Sequence, residues 1–120
     1  MPDFSFLLLH VANPAASASF YTDLLGLPVV DQKPDISVLP LCDGAMLGLW
    51  AAADVEPASS GQTGSSEIAF TVSDAGEVEA MHDDWTARGV TILQVPTRMS
   101  FGTTFVALDL DGHRVRVFAP

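Results

Sequence analysis

The groups in this chain that could hold a metal or move a proton are three histidines, one cysteine and fifteen carboxylates. A zinc or iron site needs three or four such side chains brought together, and sequence spacing usually betrays it. His10, His82 and His113 lie far apart in sequence, and no His–Glu–x–x–His pattern links them. A nucleophile elbow and a glycine-rich phosphate loop are also missing. No residue is therefore assigned a catalytic role, and no metal or other cofactor is expected. Cys42 stands alone, which excludes an intrachain disulfide and a cysteine-based zinc site. It reads as a small buried apolar residue in a reduced compartment.

Fifteen Asp and Glu against five Lys and Arg set the formal charge at -10. Nucleic-acid binding relies on a basic stripe, so this balance argues against it. It is compatible with a cationic small molecule, whose local concentration a negative surface raises, though solubility alone is the preferred reading of such a charge. Met1-Pro2-Asp3 carries no basic leader, and Leu7-Leu8-Leu9 is too short for a signal peptide or a membrane span. The expectation is a cytoplasmic protein with no membrane partner.

The elements that must position these groups come as a repeat. Asp43-Gly44 precedes a strand-like run over 45–50, and Asp111-Gly112 precedes another over 113–118, at an offset of 68 residues. Each Asp-Gly reads as a two-residue hairpin turn of type I′. Upstream, Val11-Ala12-Asn13 corresponds to Val72-Ser73-Asp74 at an offset of 61 residues. Asn13 before Pro14 is an N-cap with proline at the first helical position. Asp74 with Glu77 is an acidic capping box. Apolar residues at helical spacing follow, Ala16, Phe20 and Leu24 in one case, Val78, Met81 and Trp85 in the other. Gly26 and Gly89 end the two helices.

Strands are expected near 4–11, 28–32, 35–41 and 45–51 with a helix near 14–25. A second set falls near 66–73, 90–97, 102–109 and 113–119 with a helix near 74–88. The fold class is α+β: two tandem βαβββ modules forming curled mixed sheets, with helices on the outer face. Residues 1–52 make the first module and 66–120 the second, joined by a flexible connector over 53–65 that is rich in Ser, Gly and Ala.

Alternation along strands then assigns faces. Leu7, Leu9, Val11, Leu47 and Leu49 go to the helix side, leaving Phe6, Leu8, His10, Met46, Gly48 and Trp50 on the open face. In the second module Ile68, Phe70 and Val72 face the helix, and Glu67, Ala69 and Thr71 face away. A two-residue turn at Asp111-Gly112 sets Asp109 opposite Arg114, Ala107 opposite Arg116 and Phe105 opposite Phe118. That parity sends Val106, Leu108, Val115 and Val117 to the helix. It leaves Phe105, Arg114, Arg116 and Phe118 on the open side, and predicts an Asp109–Arg114 ion pair. Aromatic-lined concavities with a few charged groups are what ligand pockets look like.

Val11-Ala12-Asn13-Pro14 with Phe20-Tyr21 and Leu24-Leu25-Gly26-Leu27, and the ending Asp109-Leu110-Asp111-Gly112-His113-Arg114-Val115, resemble the vicinal-oxygen-chelate superfamily of glyoxalase, bleomycin-resistance and dioxygenase proteins. The resemblance covers residues 4–118. Metal enzymes of that superfamily carry one ligand on each of the first, fourth, fifth and eighth strands. Those positions fall here on Phe6, Gly48, Glu67 and Arg116, of which only Glu67 could bind a metal.

Ser66-Glu67-Ile68, Trp50, Trp85-Thr86, Phe101-Gly102 with Thr104-Phe105, and Arg116-Val117 look like the phenazine-resistance proteins, which bind planar antibiotics between subunits. The resemblance implies a metal-free protein that sequesters a planar aromatic, antibiotic-like ligand in a homodimer, in which modules could be swapped. The implied ligand-binding set is Phe6, Leu8, His10, Met46, Trp50, Glu67, Phe101, Phe105, Arg114, Arg116 and Phe118, with Trp50 as the stacking platform. The alternative is a lyase or dioxygenase of the same superfamily with an atypical active site.

Overall fold

The computed structural model describes residues 4–58, 61 and 66–120. The chain divides into two compact units, residues 1–63 and 64–120. Of the expected connector, part lies outside the described residues, and its start forms a short 3-10 turn over Ala52–Asp54.

In the first unit β1 (Phe6–Val11) leads into α1 (Pro14–Leu25), followed by β2 (Asp31–Gln32), β3 (Ile36–Cys42) and β4 (Ala45–Ala51). The strand order is β1-β4-β3-β2, with β1 parallel to β4 and the other pairs antiparallel. A parallel pair cannot close through a hairpin, so the chain crosses over through α1. Asn13 caps that helix, its side-chain oxygen accepting from the Ala16 amide at 3.1 Å. Gly26 ends it in the left-handed region, φ 71°, which carries no Cβ penalty in glycine.

Leu9, Val11, Leu39, Leu47 and Leu49 are buried together with Ala18 and Tyr21. The helix stripe is Pro14, Ser17, Ala18 and Tyr21, so the expected Ala16–Phe20–Leu24 row is displaced and Ala16 is exposed. Small residues at 17 and 18 let α1 approach the sheet, and Tyr21 supplies the bulk. The strand expected over 28–32 keeps only its last two residues. Pro28 lacks an amide donor, and Val29 and Val30 stay exposed.

The second unit repeats the plan with β5 (Glu67–Thr71), α2 (Ala75–Ala87), β6 (Thr91–Met99), β7 (Gly102–Leu108) and β8 (Arg114–Ala119), in the order β5-β8-β7-β6. The α2 start is a reciprocal cap. Asp74 accepts from the Glu77 amide at 2.9 Å, and Glu77 accepts from the Ser73 amide at 2.9 Å. Its end is a Schellman turn, with Val90 N–H bonded to Trp85 O and Gly89 N–H to Thr86 O. Each unit is thus a mixed four-stranded sheet with a helix on one face, as the α+β expectation required.

The last hairpin departs from its expected register. Asp109 lies opposite His113, its N–H bonded to His113 O at 2.9 Å, and Gly112 N–H returns to Asp109 O at 3.2 Å. The connection is therefore three residues, Leu110-Asp111-Gly112, with Gly112 at φ 83°. Among the described residues no non-glycine has a positive φ, so neither Asp-Gly pair forms a type I′ turn.

Asp109 explains the longer loop. Its carboxylate accepts from the Asp111 amide at 2.9 Å and the His113 amide at 2.8 Å, and meets His113 Nδ1 at 2.9 Å. A shift of one residue exchanges the faces of a strand. Phe105 accordingly pairs with Val117 and Ala107 with Val115, while Thr104, Val106 and Leu108 pair with Phe118, Arg116 and Arg114. Phe105 is fully buried, edge-on to Trp85 at 5.2 Å and to His82 at 5.5 Å. Trp85 continues the buried stripe from Val78, as its spacing suggested.

Candidate binding site

In the first unit, β1 and β4 run side by side with Phe6 beside Met46, Leu8 beside Gly48 and His10 beside Trp50. Their neighbours on β3 are Pro40, Val38 and Ile36. The opposite face of this sheet is held by α1, so these side chains form its open face. Phe6 and Leu8 are 44% and 42% exposed, unusual values for large apolar residues in a regular strand. Gly48 makes room for them: a Cβ there would press into Leu8, with Phe6 and Ile36 close by.

The result is a cleft of about 290 Å³ lined by Phe6, Leu8, Asp35, Ile36 and Trp50. That volume is at the lower end for small-molecule sites, ~300 Å³ upward. His10 stands edge-on to Trp50, ring centroids 6.4 Å apart at 88°. The structure therefore gathers Phe6, Leu8 and Trp50 in the cleft wall and sets His10 against Trp50. Met46 shares the face without lining the cleft. Asp35 and Ile36 are cleft residues that sequence reading missed. Ile36 was accessible, since it shares the parity of its ladder partner Trp50; Asp35 precedes the strand and carries no pattern signal.

The open face of the second unit is polar at its centre. The Arg116 guanidinium donates to both carboxylate oxygens of Glu67, Nε to Oε2 at 3.0 Å and Nη2 to Oε1 at 3.3 Å. Its third nitrogen donates to Thr104 Oγ1 at 3.2 Å, and Thr104 in turn donates to Val117 O at 2.9 Å. Phe101 lies over the guanidinium at 5.5 Å and meets Phe118 edge-on at 5.7 Å. A bidentate pair of this kind is strong for an ion pair. Thr104, fully buried beneath Arg116, was left out of the expected site because the expected parity placed Phe105 rather than Thr104 on this face.

Three expectations are corrected here. Phe105 is not on this face, because the three-residue turn sends it to the helix side. Arg114 is exposed and faces Leu108 across the hairpin, and the Asp109 carboxylate is engaged by His113. Cys42, expected in the core, is exposed beside the β3–β4 turn.

The four positions at which the superfamily's metal enzymes carry ligands hold Phe6, Gly48, Glu67 and Arg116. Phe6 and Gly48 offer no donor, and both Glu67 oxygens accept from a fixed cation. This set does not fit a divalent ion. Among the described residues, Asp109, Asp111 and His113 bring ligand atoms within 4.8 Å of one another. Asp109 there is occupied by the turn, holding the Asp111 and His113 amides and the His113 ring.

Two helix-backed βαβββ sheets with an apolar cleft on the first define a class of protein, and comparison confirms it. Residues 4–117 match the family model of the Glyoxalase/Bleomycin resistance protein/Dioxygenase superfamily, and the chain belongs to that family. Among particular relatives, the phenazine antibiotic resistance protein EhpR of Enterobacter agglomerans is 26% identical over 113 residues, covering 92% of this chain and 86% of its own. The solution structure of protein ATC0852 from Agrobacterium tumefaciens is 44% identical with a TM-score of 0.88, covering 99% of this chain and 98% of the other. A glyoxalase-related enzyme from Fulvimarina pelagi, 22% identical with a TM-score of 0.85 over 100% and 89% of the two chains, shares the fold.

Proposed function

We propose that this protein binds a planar aromatic, antibiotic-like molecule without a metal and without transforming it, removing the molecule by sequestration. The observation that carries the reading is the Trp50 cleft, an aromatic surface open on one side in a unit with no metal donor at Phe6 or Gly48. The EhpR relative supports the resistance role. Stacking on Trp50 and Phe6 supplies affinity beyond simple burial, at about 0.5–1.5 kcal/mol per aromatic pair. Glu67 and Arg116 satisfy each other, so Arg116 serves as a rigid polar floor for Phe101 and Phe118 rather than as a free anion receptor. Exposed Arg114 lies on the same face. In this reading the protein acts as a homodimer in the cytoplasm, where the Cys42 thiol stays reduced.

Calorimetric titration with phenazine tests the reading. Binding is expected for the native chain, and Trp50→Ala should weaken it by about 1–3 kcal/mol. The melting temperature should hold, because Trp50 lies on the face away from α1. Unchanged affinity in a variant that melts normally would remove Trp50 from the site. Elemental analysis of the purified protein should find zinc, nickel, iron and manganese well below one ion per chain. One tightly held metal per chain would defeat the metal-free reading.

A further inference from the structure

The cleft wall is apolar except at one point. Phe6, Leu8, Ile36 and Trp50 offer only carbon and one indole, and Asp35 is the single ionisable residue among them. Its backbone is anchored, since Asp35 O accepts from the Ala51 amide at 2.8 Å. That bond ties the residue to the end of β4, immediately beyond Trp50. Its side chain is exposed at the rim.

Among the described residues of the first unit, no cation is paired with it. Residues 1–63 contain seven acidic residues and one basic one, Lys33, whose ammonium lies 3.6 Å from Asp31. The field over this unit is therefore negative, and a cation is drawn toward it before contact. Trp50 and Phe6 act in the same direction, because an aromatic face attracts positive charge. A neutral ring seated in the cleft would shed water from the Asp35 carboxylate without replacing it, and an anionic ring would be repelled.

Resting on the binding reading above, we infer that the cleft selects aromatic cations. The ring system lies against Trp50 and a protonated nitrogen, on the ring or attached to it, meets the Asp35 carboxylate. The selectivity belongs to one local contact, with the overall charge of -10 adding a smaller, salt-sensitive attraction.

The test uses three tricyclic probes of matched shape titrated into the full chain at constant ionic strength: 9-aminoacridine as cation, phenazine as neutral ring and acridine-9-carboxylate as anion. The expected order is 9-aminoacridine tightest, at least tenfold below phenazine in Kd, and the anion weakest. Asp35→Asn should weaken 9-aminoacridine, bringing it to within about twofold of phenazine, and should leave phenazine binding at least as tightly as to the native chain. Glu79→Gln, an exposed carboxylate on α2, should change none of the three. A melting curve establishes that Asp35→Asn is folded, as expected for an exposed side chain.

Phenazine binding with no preference for the cation would overturn this inference and leave the binding reading intact. A preference lost equally in Asp35→Asn and Glu79→Gln would also overturn it, assigning the selectivity to the general field. Failure of all three probes to bind would remove both.

Discussion

Arg116 shows how a residue's role changes with its neighbours. In sequence it shares the open face with Glu67, Arg114 and aromatic residues and belongs to the expected ligand-binding set. In the fold its three nitrogens are committed to Glu67 and Thr104, and Phe101 covers its plane. The pair is only partly withdrawn from water, side chains 16% and 35% exposed, so its worth lies between that of surface and buried bridges. Arg116→Ala leaves Glu67 and Thr104 without their donor and should lower stability by about 1–2 kcal/mol, read from denaturant midpoints. Removing both charges, as Glu67→Gln with Arg116→Ala, should cost less than the two single losses added. Strict additivity would mean that the pair contributes nothing as a pair.

Among the elements, the β7–β8 hairpin decides the most. Its turn is organised by one carboxylate, Asp109, which holds two backbone amides and the His113 ring in a site where both side chains are almost fully buried. Asp109→Ala strands all three groups at once. A loss of about 2–3 kcal/mol is expected, from roughly 1 kcal/mol for each hydrogen bond forgone. The measurement is a urea midpoint, with amide hydrogen exchange at Phe105 and Val117 reporting whether the register is retained. Normal stability in this variant would show that the three-residue turn forms without the carboxylate. Gly102 guards the other end of β7: a Cβ there would collide with the Ala119 backbone, and its φ of 133° disfavours any side chain.

Across the whole molecule, both units present one helix-covered face and one open face. Phe6, Leu8 and Phe101 each remain more than two-fifths exposed. Apolar exposure of that kind generally marks a surface that meets a ligand or a partner. Light scattering at micromolar concentration is expected to give twice the mass of the 12.7 kDa chain. A strictly monomeric result would count against the homodimer and leave the cleft to work within one chain. Among the described residues no helix is long and apolar enough to cross a membrane.

What the sequence determined by itself was local. Asn13, Asp74 with Glu77, Gly26 and Gly89 marked where the helices begin and end, because caps act within one turn of the chain. The repeat of turns and caps set the element order, and alternation gave the open face of β1 and β4, including Phe6, Leu8 and Trp50. The parity of β7 was not legible. An Asp-Gly pair is compatible with connections of two or three residues, and the choice was made by the Asp109 carboxylate folding back onto His113. That single residue of length moved Phe105 from the expected site into the core. Glu67 and Arg116 were both assigned to the open face, but the bidentate geometry of their pairing and the contact with Thr104 were beyond reach, since Glu67 lies 49 residues away in sequence and Thr104 twelve. Asp35 completes the case: only the pairing of Ile36 with Trp50 across β3 and β4 carries it to the rim of the cleft. Contacts between distant strands depend on register, and register is decided by packing and turn chemistry acting together.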